Sequence, residues 1–387
     1  MDRNARREMI AAEFKKRFNT LPQIWSRAPG RVDLMGSHTD YNLGYVMTMT
    51  VDRDTWIAAR PRANRTVRLQ SLNLEGATEF SLDHIVFDSE TAWSNYVRGV
   101  AKILEDRGHN LTGFDGLIHS TVPFGSGLSS SAALEMAAVT LFAAVSGLLL
   151  DPVEMALIGQ EAENKFVGVN TGILDQYSSA MGKAGSTILL DCRHLESQTV
   201  SMSDQFRVVI CDSRAQRNLI GSEYDERRAQ CEEAVQILQQ HDHAITALRD
   251  VSIDFFQAYK ADLPPIVAKR AQFIIEENKR VCDLAIPLAT GQKSKLNRLF
   301  ADSFVGACTL FEIAAPPMLH MMESMQLAPG FIAGRQAGGG FGGCMTALVE
   351  PEMVAEFKAC VEKRYINQTK TQPSIFATVA SAGAGIM

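Results

Sequence analysis

Residues 122–135 read Val-Pro-Phe-Gly-Ser-Gly-Leu-Ser-Ser-Ser-Ala-Ala-Leu-Glu and carry the most specific chemical signal in the chain. Gly125, Ser126 and Gly127 let the backbone turn tightly and bring its N–H groups close to a ligand. Ser129, Ser130 and Ser131 follow, then an almost wholly apolar run from Ala132 to Val145. Rich in Ala, Leu and Met, that run predicts a buried helix. A glycine loop opening into a helix N-terminus offers free backbone donors and the positive end of the helix dipole, which together suit phosphate. The serine hydroxyls add groups that can donate to phosphate oxygens or ligate a metal ion. Two commoner phosphate motifs are absent. No Gly-Lys-Ser/Thr ending follows, and Ser130 stands where a dinucleotide fingerprint has its third glycine.

Other residues could supply the rest of a phosphoryl-transfer site. Such a site needs a cradle, a metal ligand, a cation near the attacking oxygen and a carboxylate to receive or orient its proton. Asp175 lies beside Gly172 and Gln176; Glu163 lies on a helix; Arg31, His38 and Asp40 crowd into one turn-rich segment; Tyr224 follows Ser222-Glu; and glycines recur from Gly338 to Gly343. Each has an ordinary structural reading on its own, as a cap, a solvated charge, a core histidine or a packing aromatic. Together they fill every role.

The elements that must position these groups follow from pattern. An amphipathic helix carries Met9, Ile10, Phe14 and Phe18, and Ile24 to Arg31 predicts a short strand ending in a Pro-Gly turn. A strand pair is expected at Gly44–Asp52 and Thr55–Arg60, a helix from Trp93 to about Arg107, and a strand Gly116–Ser120 leading into the glycine loop. Asp151-Pro152 is a helix start, with a capping Asp and Pro in the first turn, and that helix reaches about Phe166. Strands are expected at Ser186–Asp191, Phe206–Cys211, Met345–Glu350 and Ile375–Ala380, with a charged helix from Ser222 to about Gln240. Residues 241–325 read as helical, broken at Pro264-Pro265, Pro287 and Pro316-Pro317. A domain boundary is placed near Asp191–Arg207, giving domains 1–200 and 201–387.

The totals exclude some partners. With 387 residues the chain can bury a large core. Thirty-eight Lys and Arg against 44 Asp and Glu give a net charge of −6 without a basic block, which argues against nucleic acid and anionic membrane. No stretch is apolar enough to span a bilayer and the charged start lacks a signal-peptide core. Seven scattered cysteines without Cys-x-x-Cys spacing read as reduced thiols, so a cytoplasmic enzyme is expected, monomeric or weakly dimeric.

The sequence resembles the galactokinases of the GHMP class of small-molecule kinases. Three segments carry the likeness in order: Gly30–Asn42 (Gly-Arg-Val-Asp-Leu-Met-Gly-Ser-His-Thr-Asp-Tyr-Asn), Pro123–Glu135 and Gly338–Cys344. Gly172-Ile-Leu-Asp-Gln176, Asp191-Cys-Arg193, Trp93-Ser-Asn-Tyr96 and Ser222-Glu-Tyr224 match further family segments. The resemblance implies an α+β, two-domain fold with the active site in the cleft between the domains. It implies ATP- and Mg²⁺-dependent phosphorylation of galactose at the anomeric hydroxyl. Asp175 would be the catalytic carboxylate and Arg31 the fixed cation beside it. Mg²⁺ would be held by Glu163 and a hydroxyl of the serine run, Ser131 before Ser130. Pro123, Gly125, Ser126, Gly127, Leu128, Ser129, Ser130 and Ser131 would wrap the ATP phosphates, with Trp93 and Tyr96 near the base. The sugar would be read by Ser37, His38, Asp40, Gly172, Asp175 and Tyr224, with Gly339 and Gly340.

Two positions depart from the family pattern. Ser37 stands where the family has glutamate, and Asp33 where it has asparagine. A glutamate accepts from a sugar C6 hydroxyl and repels a C6 carboxylate, so Ser37 predicts weaker discrimination against galacturonate. Alternatives to galactose are therefore galacturonate or a galacto-configured pentose. A non-catalytic sugar and ATP sensor is the rival from another class, but the intact Ser129–Ala133 run, Arg31 and Asp175 argue for catalysis.

Overall fold

Two sheets divide the chain, and the phosphate loop and sugar residues sit where they meet. The computed structural model describes residues 2–215 and 223–387. The N-terminal part comprises α1 (Arg3–Phe18), β1 (Ile24–Met35), β2 (Tyr45–Pro61), β3 (Thr66–Ser71), β4 (Ala77–Ser81), α2 (Asn95–Asp106), β5 (Phe114–Ser120), α3 (Ser130–Ser146), α4 (Pro152–Glu161), α5 (Leu174–Met181), β6 (Ser186–Asp191) and β7 (Glu196–Ser201). Then come β8 (Arg207–Asp212), α6 (Glu223–Leu238), α7 (Ile253–Tyr259), α8 (Pro265–Thr290), α9 (Lys293–Thr309), α10 (Pro316–Gln326), β9 (Phe331–Gln336), β10 (Cys344–Val349), α11 (Val354–Thr369), β11 (Ser374–Thr378) and β12 (Gly385–Ile386). Ser222, expected to open the charged helix, lies outside the described residues.

The larger sheet runs β12-β1-β2-β5-β3-β4, with β6 also on β2 and β7 on β6; the smaller runs β11-β8-β10-β9. Pairing is antiparallel except between β3 and β5. The apolar run expected to be helical is α3, buried almost all round. Its Met136, Val139 and Phe142 pack with Val97, Val100 and Leu104 of α2 against Ile57, Leu69 and Ile118 of the sheet. A second cluster spans the seam, joining Val32, Leu34 and Met49 to Val208, Ile210, Leu284 and Ile332.

Several expectations are corrected. Pro29-Gly30 does not end β1; the strand continues to Met35 through a register shift between Pro29 and Arg31, which carries Arg31 on into the site. The expected pair at 44–60 is one strand, β2. Its charged middle at residues 52–54 is where the partner changes from β6 to β5, and Asp54 there is neutralised by Arg6 and Arg27. Pro287 does not break α8; the helix runs through it to Thr290, forgoing only the bond its N–H would have donated to the Asp283 carbonyl. The strands β3, β4, β7, β9 and β12, the short helix α5 and the helix α11 escaped the pattern reading. The tail crosses back, as Gly385 and Ile386 pair with Arg27 and Ser26 of β1.

Candidate active site

The loop before α3 is built to leave donors free. Gly125, Gly127 and also Ser129 adopt left-handed backbone angles, with φ of 66°, 89° and 57°. Serine pays for that conformation in strain, and such positions are held only by surrounding contacts. Here the Ser129 hydroxyl donates to Asp175 Oδ2 at 2.6 Å. A serine at a helix start ordinarily caps the first-turn N–H groups. Because Ser129 bonds Asp175 instead, α3 has no side-chain cap and its first turn is available to an anion. The glycine cluster before β10 holds the loop from outside. A Cβ on Gly343 would meet the Ser126 carbonyl at 2.5 Å, and the Cys344 N–H donates to that carbonyl at 2.9 Å. Ser126 Oγ donates to the Pro123 carbonyl, and Leu128 is buried.

Asp175 and Arg31 meet beside this loop. β1 delivers Arg31 and the first turn of α5 delivers Asp175. Arg31 Nε donates to Asp175 Oδ1 at 2.8 Å, with a second bond from Nη2 to the same oxygen, while Nη1 donates to the Gly127 carbonyl at 2.7 Å. Burial opposes the Arg31 charge, but Asp175, Asp33 and Asp40 outweigh it and hold the guanidinium above its ordinary range. One carboxylate is thus fixed by a cation on one oxygen and a hydroxyl on the other. It retains lone pairs for a substrate hydroxyl.

Behind it lies an acidic group with too little positive charge. Glu163 follows α4 in a π-helical turn, Ala162–Val167, a geometry frequent at functional sites. Its Oε2 accepts from Thr171 Oγ1 and Gln176 Nε2, both at 2.8 Å, and the Ser131 hydroxyl is near enough to favour its ionised form. Gln176 Nε2 donates as well to Glu135 Oε2 at 2.9 Å, leaving Glu135 Oε1 and Gln176 Oε1 buried without partners. Burial and the Asp175 charge push the Glu163 carboxyl up; burial and Glu163 push Glu135 well up. A divalent cation at Glu163 would relieve that excess. Among the described residues no group of three or more His, Cys, Asp or Glu could hold a metal ion. One carboxylate and one hydroxyl suffice for Mg²⁺, which keeps several waters and binds through substrate phosphates. The residues present fit the ion, and Ser131 is the serine whose hydroxyl acts on the Glu163 carboxylate.

The sugar residues converge on one pocket in the cleft. Arg31, Asp33, Ser37, His38, Asp40, Gly172, Asp175, Tyr224 and Gly339 all line it, with Val169, Asn170, Thr171 and Asp225 among the rest. Gly172 is there because nothing larger fits: a Cβ would lie 1.8 Å from Asp40 Oδ2. Burial pushes the Asp40 carboxyl up to about 6, the Asp175 charge adding to it. Burial pulls His38 down to about 4. Neutral His38 has one N–H, which Nε2 must donate to the Gly339 carbonyl at 2.8 Å, so Nδ1 accepts from Tyr41 Oη at 2.8 Å. Both nitrogens are engaged with protein, and the ring packs on Tyr224 and Phe311. Gly340 does not line the pocket but packs on Ile313.

The galacturonate alternative is not favoured by the surroundings of Ser37. Ser37 is buried, with its Oγ 2.8 Å from Asp33 Oδ2 and 2.9 Å from Arg335 Nη2. Asp33 therefore returns a carboxylate to this wall, and a sugar carboxylate would meet its charge. Of the nucleotide aromatics, Tyr96 is near enough to Glu163 and Glu135 for burial and those charges to raise its phenol. Trp93 donates its indole N–H to the Glu75 carbonyl and packs on the N-terminal core, apart from the sugar pocket. Sequence reasoning assigned no role to Thr171, Glu135, Gln176 or Arg335. The lone charge of Glu135 in an apolar helix was the one available signal.

The chain is similar to known proteins. A family profile described as "GHMP kinases N terminal domain" matches residues 95–183, and "Galactokinase galactose-binding signature" matches residues 12–61. A mevalonate kinase from Methanococcus jannaschii superposes with a TM-score of 0.65 at 15% identity, covering 92% of this chain and 98% of that one, which speaks for the fold alone. Fold and phosphate loop thus define a two-domain α+β protein of the GHMP kinase class. A galactokinase from Chloroflexus aggregans (strain MD-66 / DSM 9485) is 43% identical over 377 residues, 97% of this chain and 96% of that protein. The crystal structure of Lactococcus lactis galactokinase complexed with galactose superposes with a TM-score of 0.93 at 31% identity, covering 97% of this chain and 98% of that one. The chain belongs to the galactokinase family. Among the described residues no helix is long and apolar enough to cross a membrane.

Proposed function

We propose that this chain phosphorylates galactose at its anomeric hydroxyl, with ATP as donor and Mg²⁺ as the metal. The observation that carries the reading is Asp175, held between Arg31 and Ser129 where the sugar pocket adjoins the phosphate loop. Asp175 accepts the proton of the anomeric hydroxyl or holds it in line. The oxygen so exposed forms its bond to the γ-phosphorus as the bond to the bridging oxygen of ADP breaks. Arg31 stabilises negative charge developing on the attacking oxygen and the transferred group. The uncapped first turn of α3 and the loop Pro123–Ser131 bind phosphate oxygens. Glu163 and Ser131 would hold Mg²⁺, which neutralises phosphate charge when bound. Asp40, Ser37, Tyr224 and the Gly172 backbone position the sugar; His38 acts by fixing the Gly339 carbonyl.

The presence of two sheets supports a division into domains at 1–200 and 201–387, give or take the end of β7 at Ser201, with the tail returning to the first. Seven cysteines without Cys-x-x-Cys spacing support a cytoplasmic location, and a monomer or weak dimer remains part of the proposal. ADP release measured against sugars differing at C4 and C6 tests the assignment. Galactose should give the highest kcat/KM. Binding of sugar and ATP without ADP release would replace it with a sensor.

A further inference from the structure

The pocket wall at Ser37 depends on a residue that does not touch the pocket. Arg335 of β9 is fully buried. Its Nε donates to Ser303 Oγ at 3.0 Å, and Nη2 lies 2.9 Å from Ser37 Oγ and 3.2 Å from Glu277 Oε1. Nη1 stands 3.6 Å from Asp33 Oδ2 and makes no hydrogen bond. Because Arg335 donates to the Ser37 hydroxyl, that hydroxyl must turn its one proton to Asp33 Oδ2 at 2.8 Å or the Gly338 carbonyl at 3.0 Å. The Gly338 N–H in turn donates to Asp33 Oδ1. On the far side Glu277 accepts from the Gly36 N–H at 3.1 Å and from Arg280 Nε at 2.8 Å. Asp33, Gly36 and Ser37 come from the first domain; Glu277, Ser303, Arg335 and Gly338 come from the second. Asp33, Ser37 and Gly338 line the sugar pocket, and Arg335 does not.

We propose that Arg335 is a positioning residue for sugar specificity: reaching across the domain seam, it orients the Ser37 hydroxyl and holds Asp33, so that galactose affinity is set by Arg335 through those two side chains. The inference rests on the reading of this pocket as the sugar site. Buried Asp33 and Glu277 have Arg335 as a shared counter-ion, and both carboxyls stay below their usual range despite burial. Removing the guanidinium leaves Asp33 with only the more distant Arg31.

The test is Arg335→Met alone and combined with Asp33→Asn, with galactose binding measured by calorimetry without nucleotide, and both KM values in steady state. Losing charge-assisted contacts of this kind corresponds to roughly ten- to hundred-fold. Galactose Kd and KM should rise by that factor in Arg335→Met, ATP KM should move less than about threefold, and Asp33→Asn should recover part of the loss. Unchanged galactose affinity in folded Arg335→Met, or equal shifts in both KM values, overturns the proposal. Should Arg335→Met fail to fold, Ser37→Ala removes the group through which Arg335 acts; unchanged galactose Kd there overturns it too. Galactose turnover by the unaltered protein is a separate measurement, so failure of the sugar reading is distinguishable from failure of this one.

Discussion

Replacing Asp40 by asparagine should stabilise the fold while harming the reaction. In the folded protein burial pushes this carboxyl from 3.8 to about 6. A rise of about two pH units corresponds to roughly 3 kcal/mol, at 1.36 kcal/mol per unit. The direction follows from linkage. Because the folded value lies above the unfolded one, ionised Asp40 opposes folding at every pH above about 6; the penalty shrinks between 6 and 3.8 and vanishes below. Asp40→Asn keeps the shape against Gly172 and removes the charge. At pH 7.5, without ligands, it should gain about 3 kcal/mol, or about 4 °C in melting temperature for a chain of this length. The same variant should lose a charged acceptor for a sugar hydroxyl, raising galactose KM roughly tenfold or more. Thermal melts at pH 7.5, 5.5 and 4 read the first effect, and steady-state kinetics the second. A variant less stable at pH 7.5, or a gain that persists at pH 4, would refute the burial argument.

Two further substitutions separate the metal and sugar ends. Glu163→Gln should raise the half-saturating Mg²⁺ concentration by roughly tenfold with little change in galactose KM, read by Mg²⁺ titration of initial rates; an unchanged Mg²⁺ requirement would remove Glu163 from the metal. Gly172→Ala places a Cβ 1.8 Å from Asp40 Oδ2, so galactose binding by calorimetry should weaken sharply while nucleotide binding stays, and normal sugar affinity would place the sugar elsewhere.

Much of the site was legible because its parts are local. The Gly125–Ser131 loop, its apolar helix and Asp151-Pro152 each declare themselves within a few residues. What escaped depends on contacts far apart in sequence. Ser37 looked like a lost charge because Asp33 lies four residues away on a strand expected to end at Arg31. Arg335 sits on β9, whose Phe331–Gln336 run has no alternation to mark it. Strand β7 is largely exposed and polar, and only its pairing with β6 makes it a strand. Gln176 was within a recognised segment, yet nothing local says that its amide bridges two buried carboxylates. Pro287 shows the reverse error, a strong local breaker that the long, well-packed α8 accommodates at the loss of one hydrogen bond.

The most direct test of the account is the turnover of Asp175→Asn, which keeps the side chain's shape and its contacts with Ser129 while removing the charge. With Mg²⁺, ATP and galactose, ADP release should fall by roughly two or more orders of magnitude, as for loss of a positioned base, while nucleotide and galactose affinities change little. Near-full turnover in that variant would contradict the account, reducing Asp175 to a structural partner of Arg31.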